Sequence, residues 1–258
     1  LRSQMHPEIH TYGEALYFAG TSFFTIGFGD FVGSTGITRM FSLLAGASGF
    51  GIISITTAYL FAIFGAFQTR EQFVVSIAAR AGSPPSGVAL LAIAARADTM
   101  RDLPSLMRSS EMWCASLMET HLAYPVLAYF RSSHDKQSWV GTLGTLLDAA
   151  LLLITTIENN VGEARILYNL ATHAARDLAV YFETHGLEFA AGPGITRAEF
   201  HDACTELATA GLRLLDEDGS WERFAEMRGT YAGYLNALAG LFQIPPLQWI
   251  SETELPGL

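Results

Sequence analysis

The sequence predicts an all-α protein in which a membrane-embedded part is followed by an α-helical domain. Residues 40–68 form a run of 29 residues without a charged side chain. The rest of the chain has the periodicity of amphipathic helices and almost none of the alternation that strands require. Half of the residues are hydrophobic and 16% are charged, whereas about 25% are charged in an average soluble protein. We therefore place one domain at residues 1–70 and a second at residues 71–258.

The charge distribution excludes one class of partner. The net charge is −10. Residues 1–70 hold three basic and three acidic side chains, so residues 71–258 carry the whole acidic excess. Nucleic acid is excluded as a partner because phosphate binding needs a basic face. The cysteines, Cys114 and Cys204, have no CxxC spacing and are predicted to be buried apolar residues.

The first element is a short helix over residues 14–24. Thr11 and Glu14 have the spacing of a capping box, which starts a helix. The helix is rich in aromatic residues, and we expect it to be re-entrant. Its C-terminal end carries partial negative charge, which favours a cation beyond it. Irregular backbone at membrane depth is tolerated where protein buries it or where it lines a water-filled cavity.

The loop after this helix has residue types that suit a ring of backbone carbonyls. Such a ring replaces the water shell of a potassium ion. Successive carbonyls point to one axis when the backbone alternates in handedness, and glycine does this without steric cost. Gly27 and Gly29 meet that need. Ile26 and Phe28 would then turn outward and pack. Thr25 would supply a hydroxyl and a carbonyl to the innermost site, and Asp30 would concentrate cations at the outer mouth.

The next element is a helix that contains the charge-free run. A helix needs about 20 apolar residues to cross the hydrocarbon core of a bilayer, and residues 40–68 exceed that length. Arg39 and Arg70 flank the run. Its small residues allow another helix to approach closely: Gly46, Ala47, Ser48, Gly49 and Gly51. The alternative is a buried helix of a soluble protein.

Residues 12–67 resemble the pore module of two-transmembrane potassium channels, which consists of a pore helix, a selectivity filter and an inner helix. The match includes residues 15–18 before the loop and residues 36–39 after it. The resemblance implies that residues 25–29 bind K⁺ and that Gly49 is an inner-helix hinge. We expect a gate near the lower half of this helix, because Ile53, Thr57 and Phe61 follow Gly49 at intervals of four residues on one face. The alternative is that this face meets the outer helix.

Three positions depart from the family pattern. Phe28 stands where the family more often has tyrosine, so one hydrogen bond behind the filter is lost. Thr21 stands where some members have a buried acid paired with the filter aspartate, which leaves Asp30 without an assigned partner. Residues 32–34 are Val-Gly-Ser, where a proline commonly follows. A voltage-sensor helix with regular arginines is absent from the sequence.

The second domain is predicted to be helical throughout. Helical patterns cover approximately residues 88–100, 103–132, 138–159, 161–185, 196–217 and 221–243. Pro125 should kink the second of these helices. Asp148 lies in an apolar helix, where a hydrogen bond to an arginine or to Trp139 would explain it.

Scattered histidines and acids in this domain suggest a metal site only weakly. The candidates are Glu119, His121, His134, Asp148, His173 and Asp177. His173 and Asp177 have the i, i+4 spacing that can chelate, but satisfied polar contacts explain such residues better. We expect no metal other than K⁺ in the filter and no cofactor. No catalytic arrangement is recognised, so the protein is not expected to be an enzyme.

Together these observations predict a K⁺-selective channel subunit of the cell membrane. One loop supplies a quarter of a carbonyl ring, so a homotetramer is required. The protein would be multi-pass in the lipid bilayer, with an outer helix preceding Leu1 and residues 71–258 in the cytoplasm. Arg70 and Arg80 agree with the positive-inside rule. The alternatives are a weakly selective cation channel, or a membrane-anchored sensor or interaction protein that acts through its helical domain.

Overall fold

A computed structural model describes residues 4–134, 136–158, 162–182, 192–245 and 247–250. The described elements are helical, apart from two strands of two residues each and two isolated β-bridges. The chain divides into two compact units, residues 1–65 and 66–258. An all-α fold is therefore confirmed.

The first unit holds a short helix and a two-stranded ribbon. Helix α1, Tyr12–Phe23, begins at the predicted capping box: Glu14 N donates to Thr11 Oγ1, and the Glu14 carboxylate accepts from the Thr11 amide. Strand β1, Met5–His6, pairs antiparallel with β2, Val32–Gly33. The register places Met5 opposite Gly33, so the segment after the loop is tied to the segment before α1.

Helix α2, Gly36–Ala81, is continuous over 46 residues and contributes to both units. It contains the charge-free run, and its most apolar 18-residue window is only 6% buried. A core helix of a soluble protein would be mostly buried, so this exposure argues against the soluble alternative. The helix is long and apolar enough to cross a membrane.

The second unit packs short helices around one central helix. The helices after α2 are α3 (Gly87–Arg96), α4 (Leu103–Ala123), α5 (Trp139–Thr155), α6 (Gly162–Tyr181), α7 (Arg197–Thr209), α8 (Glu217–Gly229) and α9 (Ala232–Leu241). Two 3₁₀ helices, Met100–Asp102 and Pro125–Tyr129, flank α4. Every residue of α5 is buried, and helices α3, α6, α8 and α9 contact it.

Asp148 in the middle of α5 is satisfied by an arginine, as the sequence suggested. Arg228 Nε donates to Asp148 Oδ1 at 2.9 Å, and the Tyr231 hydroxyl contacts the same oxygen at 2.5 Å. Arg228 also donates to the backbone carbonyls of Pro193 and Trp249. The buried charges are thus paired and hydrogen-bonded, as burial demands. Cys114 and Cys204 are free and buried, also as predicted.

Three predicted helices in this unit are wrong. The helix over 196–217 ends at Thr209, shortly before Gly211 takes a positive φ of 96°. The helix over 103–132 ends at Ala123, because Pro125 forces Tyr124 out of helical geometry (φ −130°, ψ 75°) and a 3₁₀ helix follows. The helix over 221–243 is two helices, α8 and α9, which meet at residues 230–231. Residues 159, 161 and 183–185, at predicted helix ends, lie outside the described residues.

Candidate functional site

The loop at residues 25–30 has a backbone that alternates in handedness. Thr25, Gly27 and Gly29 have φ of 56°, 56° and 81°. Ile26 and Phe28 are not among the residues with positive φ. Such alternation is what allows successive carbonyls to face one side. The sequence pointed to the two glycines, but it gave no sign that Thr25 would share their conformation.

Helix α1 holds the start of this loop through one carbonyl. Thr21 O accepts from the amides of Ile26 and Gly27 at 2.9 and 3.3 Å. The amide of Thr25 donates to Ser22 O at 3.2 Å. Because these amides bond back to the helix end, the conformation of the loop is fixed by α1. Thr21 thus supports the loop through its backbone carbonyl, a role that was not predicted for this residue.

Asp30 at the end of the loop is held from the same helix. Its carboxylate interacts electrostatically with the Tyr17 hydroxyl, and Oδ1 accepts from the amide of Phe31 at 3.1 Å. The rings of Tyr17 and Phe31 meet edge to face at 6.2 Å. Tyr17 is therefore the partner of Asp30 that the sequence left unassigned.

The chain leaving the loop turns sharply into α2. At Gly33, a Cβ atom would lie 2.6 Å from Thr38 Oγ1, so only glycine fits without a shift. Arg39 Nε donates to Gly33 O at 2.9 Å. Arg39 therefore binds the backbone at the loop exit, in addition to flanking the apolar run.

Small residues of α2 lie against the end of α1. A Cβ on Gly49 would overlap the carbonyl oxygen of Phe23, and a Cβ on Gly46 would lie 3.3 Å from Ser22 O. The close approach predicted for these glycines is thus directed at the helix that supports the loop. Helix α2 is not interrupted at Gly49, and its role as a hinge stays a prediction.

The predicted gate positions are exposed along α2. Ile53 and Phe61 expose 45% and 72% of their surface, and Thr57 is also exposed. Ile26 and Phe28 of the loop are likewise 53% and 70% exposed. The large apolar side chains at the predicted filter and gate positions are therefore exposed in a single chain.

Arg70, expected at the membrane flank, is instead buried in the second unit. It is 3% exposed and donates to the carbonyls of Leu127 (2.8 Å) and Phe130 (2.6 Å). It pairs with Glu71 at 3.0 Å. Of the two arginines that agreed with the positive-inside rule, only Arg80 is exposed. Apart from the pair with Glu71, the hydrogen bonds of Arg70 reach residues more than 50 positions away, which local sequence does not reveal.

His121 contacts the guanidinium of Arg70. Its Nδ1 lies 2.8 Å from Leu117 O and must donate to it, so Nε2 faces Arg70 Nη1 at 3.3 Å as an acceptor. Burial, and then the charge of Arg70, lower the pKa of His121 to about 4. The histidine is therefore neutral near pH 7 and serves as a hydrogen-bond partner in this cluster.

The suggested metal ligands are dispersed in the described part of the chain. His173 pairs with Asp177 at 3.2 Å on the surface of α6. His121 is bound to Arg70 and Asp148 to Arg228. Among the described residues, no group of three histidine, cysteine or acidic side chains is placed to hold a metal.

Comparison with known proteins finds similarity to one family and to one bacterial membrane protein. Residues 2–66 match a family described as ion channel. A relative from Bacillus subtilis (strain 168), the uncharacterized membrane protein YdjJ, is 22% identical over 143 residues, which make up 55% of this chain. Those residues are 41% of the relative, so the chain spans about two fifths of its length. No solved structure matches the chain.

Proposed function

We propose that the chain is a subunit of a K⁺-selective channel, because residues 2–66 are similar to an ion-channel family and a relative is a membrane protein. The observation that carries the proposal is the alternation of positive φ at Thr25, Gly27 and Gly29. In a Thr-Ile-Gly-Phe-Gly-Asp loop, this backbone aims carbonyl oxygens at a shared axis. K⁺ gives up its hydration shell for such oxygens.

The proposed pore is a homotetramer. One loop supplies one quarter of each carbonyl ring, so four copies surround the axis. The exposed side chains of Ile26 and Phe28 support this assembly, because exposure of large apolar surface to water is unfavourable in free energy. In the tetramer they pack behind the filter, while lipid covers the outward faces of α2.

The proposed topology places Asp30 outside and residues 71–258 in the cytoplasm. The proposed protein crosses the membrane more than once. The filter end that bears Asp30 faces the outer solution, so α2 runs inward. The helical unit then acts on the pore through α2. Transport is passive, and the proposal includes no enzyme activity, no cofactor and no metal other than K⁺.

Ion flux from liposomes tests this function. The chain is reconstituted, and efflux of K⁺ is compared with efflux of Na⁺ under equal gradients. We expect K⁺ efflux to exceed Na⁺ efflux at least tenfold. Gly29→Ala should abolish the K⁺ efflux, because alanine disfavours the left-handed backbone that position 29 has.

Gly51→Ala is the matched control, because Gly51 is helical and a Cβ there meets nothing within 4 Å. It should conduct as the wild type does. Equal K⁺ and Na⁺ efflux would leave a weakly selective cation channel. Normal K⁺ selectivity in Gly29→Ala would show that this loop is not the filter.

A further inference from the structure

The second unit contains a cavity that neither the ion path nor the packing of the core accounts for. It has a volume of about 340 Å³, within the range of small-molecule sites. Residues 128–132, 134 and 136–139 form one wall, and residues 241–245, at the end of α9 and just after it, form the other. We propose that this cavity binds a small organic anion, and that its occupancy is transmitted to α2 through Arg70.

The lining is positive in an otherwise acidic chain. Arg131, His134 and Lys136 line the cavity, and Lys136 is the single lysine of the sequence. None of the three takes part in an ion pair within the part of the chain that the structure describes. No acidic residue is among the described lining residues. Asp135 lies outside the described residues.

The backbone and one side chain also suit a polar occupant. The cavity reaches the N-terminus of the 17-residue helix α5 through Gln137, Ser138 and Trp139. The N-terminal end of a helix carries partial positive charge, which favours an anion. Gln137 Oε1 is buried and has no hydrogen-bond partner among the described residues, so it can accept a hydrogen bond from a donor group of the ligand, such as a hydroxyl.

The remaining walls are apolar, which defines the class of ligand. Trp139, Phe242 and Ile244 face the cavity, and the rings of Trp139 and Phe242 are 5.6 Å apart. A phosphate or carboxylate alone would leave these surfaces uncovered. The site therefore suits one phosphate or carboxylate group attached to an apolar body about the size of an aromatic ring.

Two contacts connect this cavity to Arg70. The wall residue Phe130 accepts a hydrogen bond from Arg70 Nη2 through its carbonyl, at 2.6 Å. The wall residue Trp139 packs against His121 at 5.0 Å between ring centroids, and His121 Nε2 faces Arg70 Nη1. Arg70 is part of α2. A ligand that restricts the motion of Phe130 and Trp139 would therefore also restrict the Phe130 carbonyl and the His121 ring, which contact Arg70. The effect on conduction rests on the proposed function.

Binding is tested on the whole chain in detergent without lipid, so that a lipid headgroup cannot be the anion. Phenyl phosphate and benzoate are titrated by calorimetry, beside inorganic phosphate and benzyl alcohol. We expect saturable binding of the two aromatic anions, and at least tenfold weaker binding of the compounds that lack the ring or the charge. Absence of saturable binding by both aromatic anions would overturn the proposal.

A charge-matched pair of variants assigns the binding to the cavity. Arg131→Gln with Lys136→Gln should weaken phenyl phosphate binding at least tenfold, because two charge-assisted contacts are lost. Arg165→Gln with Arg213→Gln removes the same charge from exposed positions outside the lining and should leave binding unchanged. Equal affinity in the two double variants would overturn the assignment.

Transmission to α2 is read by amide exchange, which does not depend on conduction. Saturating phenyl phosphate should slow exchange over residues 66–81 at least threefold and leave α7 unchanged. Unaltered exchange over 66–81 would overturn the transmission. A chain that shows both effects but carries no K⁺ would refute the proposed function and leave this site in place.

Discussion

The backbone conformation at single residues decides what the loop of the first unit can do. Thr25, Gly27 and Gly29 share positive φ, and the Thr21 carbonyl binds the amides of residues 26 and 27. The amides of residues 25–27 donate to carbonyls of α1, whereas the carbonyls of residues 25–30 accept no backbone hydrogen bond among the described residues. These carbonyls can therefore coordinate a cation. This division of donors and acceptors is the physical basis for reading the loop as a cation path.

Gly49 is the glycine, among the described residues, at which an added Cβ atom would make the closest contact, with the Phe23 carbonyl oxygen. Gly49→Ala should lower the free energy of unfolding by about 1–3 kcal/mol, because the added methyl overlaps the Phe23 carbonyl. The midpoint of thermal unfolding in detergent should fall by several degrees. Gly51→Ala has open space at its Cβ and should be neutral or slightly stabilising. Circular dichroism measures both. Equal midpoints for the two variants would contradict the close approach.

His121 should make the helical unit sensitive to acid. Its pKa is about 4 in the folded chain and about 6.5 when unfolded. The unfolded state therefore binds the proton first, so stability is complete above pH 6.5 and falls as the pH is lowered toward 4. The loss between pH 7.5 and pH 4 is about 3 kcal/mol.

Tryptophan fluorescence follows this loss, because all four tryptophans lie after residue 65. His121→Gln keeps a donor and an acceptor but does not titrate, so its unfolding should depend less on pH. His173→Gln removes an exposed histidine and should behave as the wild type does. A His121→Gln variant with the pH dependence of the wild type would show that another group is responsible.

At the scale of elements, caps and periodicity were predictable and their long-range partners were not. The start of α1 follows from Thr11 and Glu14, which are three residues apart. The end of α4 was missed because a proline read as a kink in fact ended the helix. Neither the contact of Tyr17 with Asp30 nor the burial of Arg70 leaves a periodic signal, since each depends on how distant segments pack.

Helix α2 has one face that meets α1 at Gly49 and, further along the same face, exposed residues. If that face lines the inner pore, Thr57→Cys should react with a soluble thiol reagent added from the inside, and the reaction should block the open channel. Cys114 and Cys204 are buried, so the background should be low. Ile55→Cys, on another face and 73% exposed as isoleucine, is the control. Block at Ile55 but not at Thr57 would assign the pore to the other face.

At the scale of the whole molecule, the first unit is incomplete as a single chain. Most of its large apolar side chains are exposed, from Tyr12 to Phe64. Contiguous apolar surface of this kind marks a membrane or protein interface. The second unit, by contrast, has its own buried core built around α5. This contrast between an exposed apolar unit and a unit with a buried core was predictable from the sequence, because charge and hydropathy are properties of the amino-acid composition.

Four copies should surround the pore. Native mass spectrometry from detergent should give a complex of four 28.0-kDa chains. Gly29→Ala should assemble equally well if its defect is confined to the filter. A monodisperse monomer that conducts K⁺ selectively would contradict the tetramer, because one loop cannot close a ring.

The most direct test of the central claim is the reversal potential of the reconstituted chain in a planar bilayer. With K⁺ on one side and an equal concentration of Na⁺ on the other, a K⁺-selective pore should give a reversal potential displaced from zero, negative on the K⁺ side, and equivalent to a permeability ratio of at least ten. Single-channel current with a reversal potential at zero would contradict it, because carbonyl rings built on Thr25, Gly27 and Gly29 would then not distinguish the two ions.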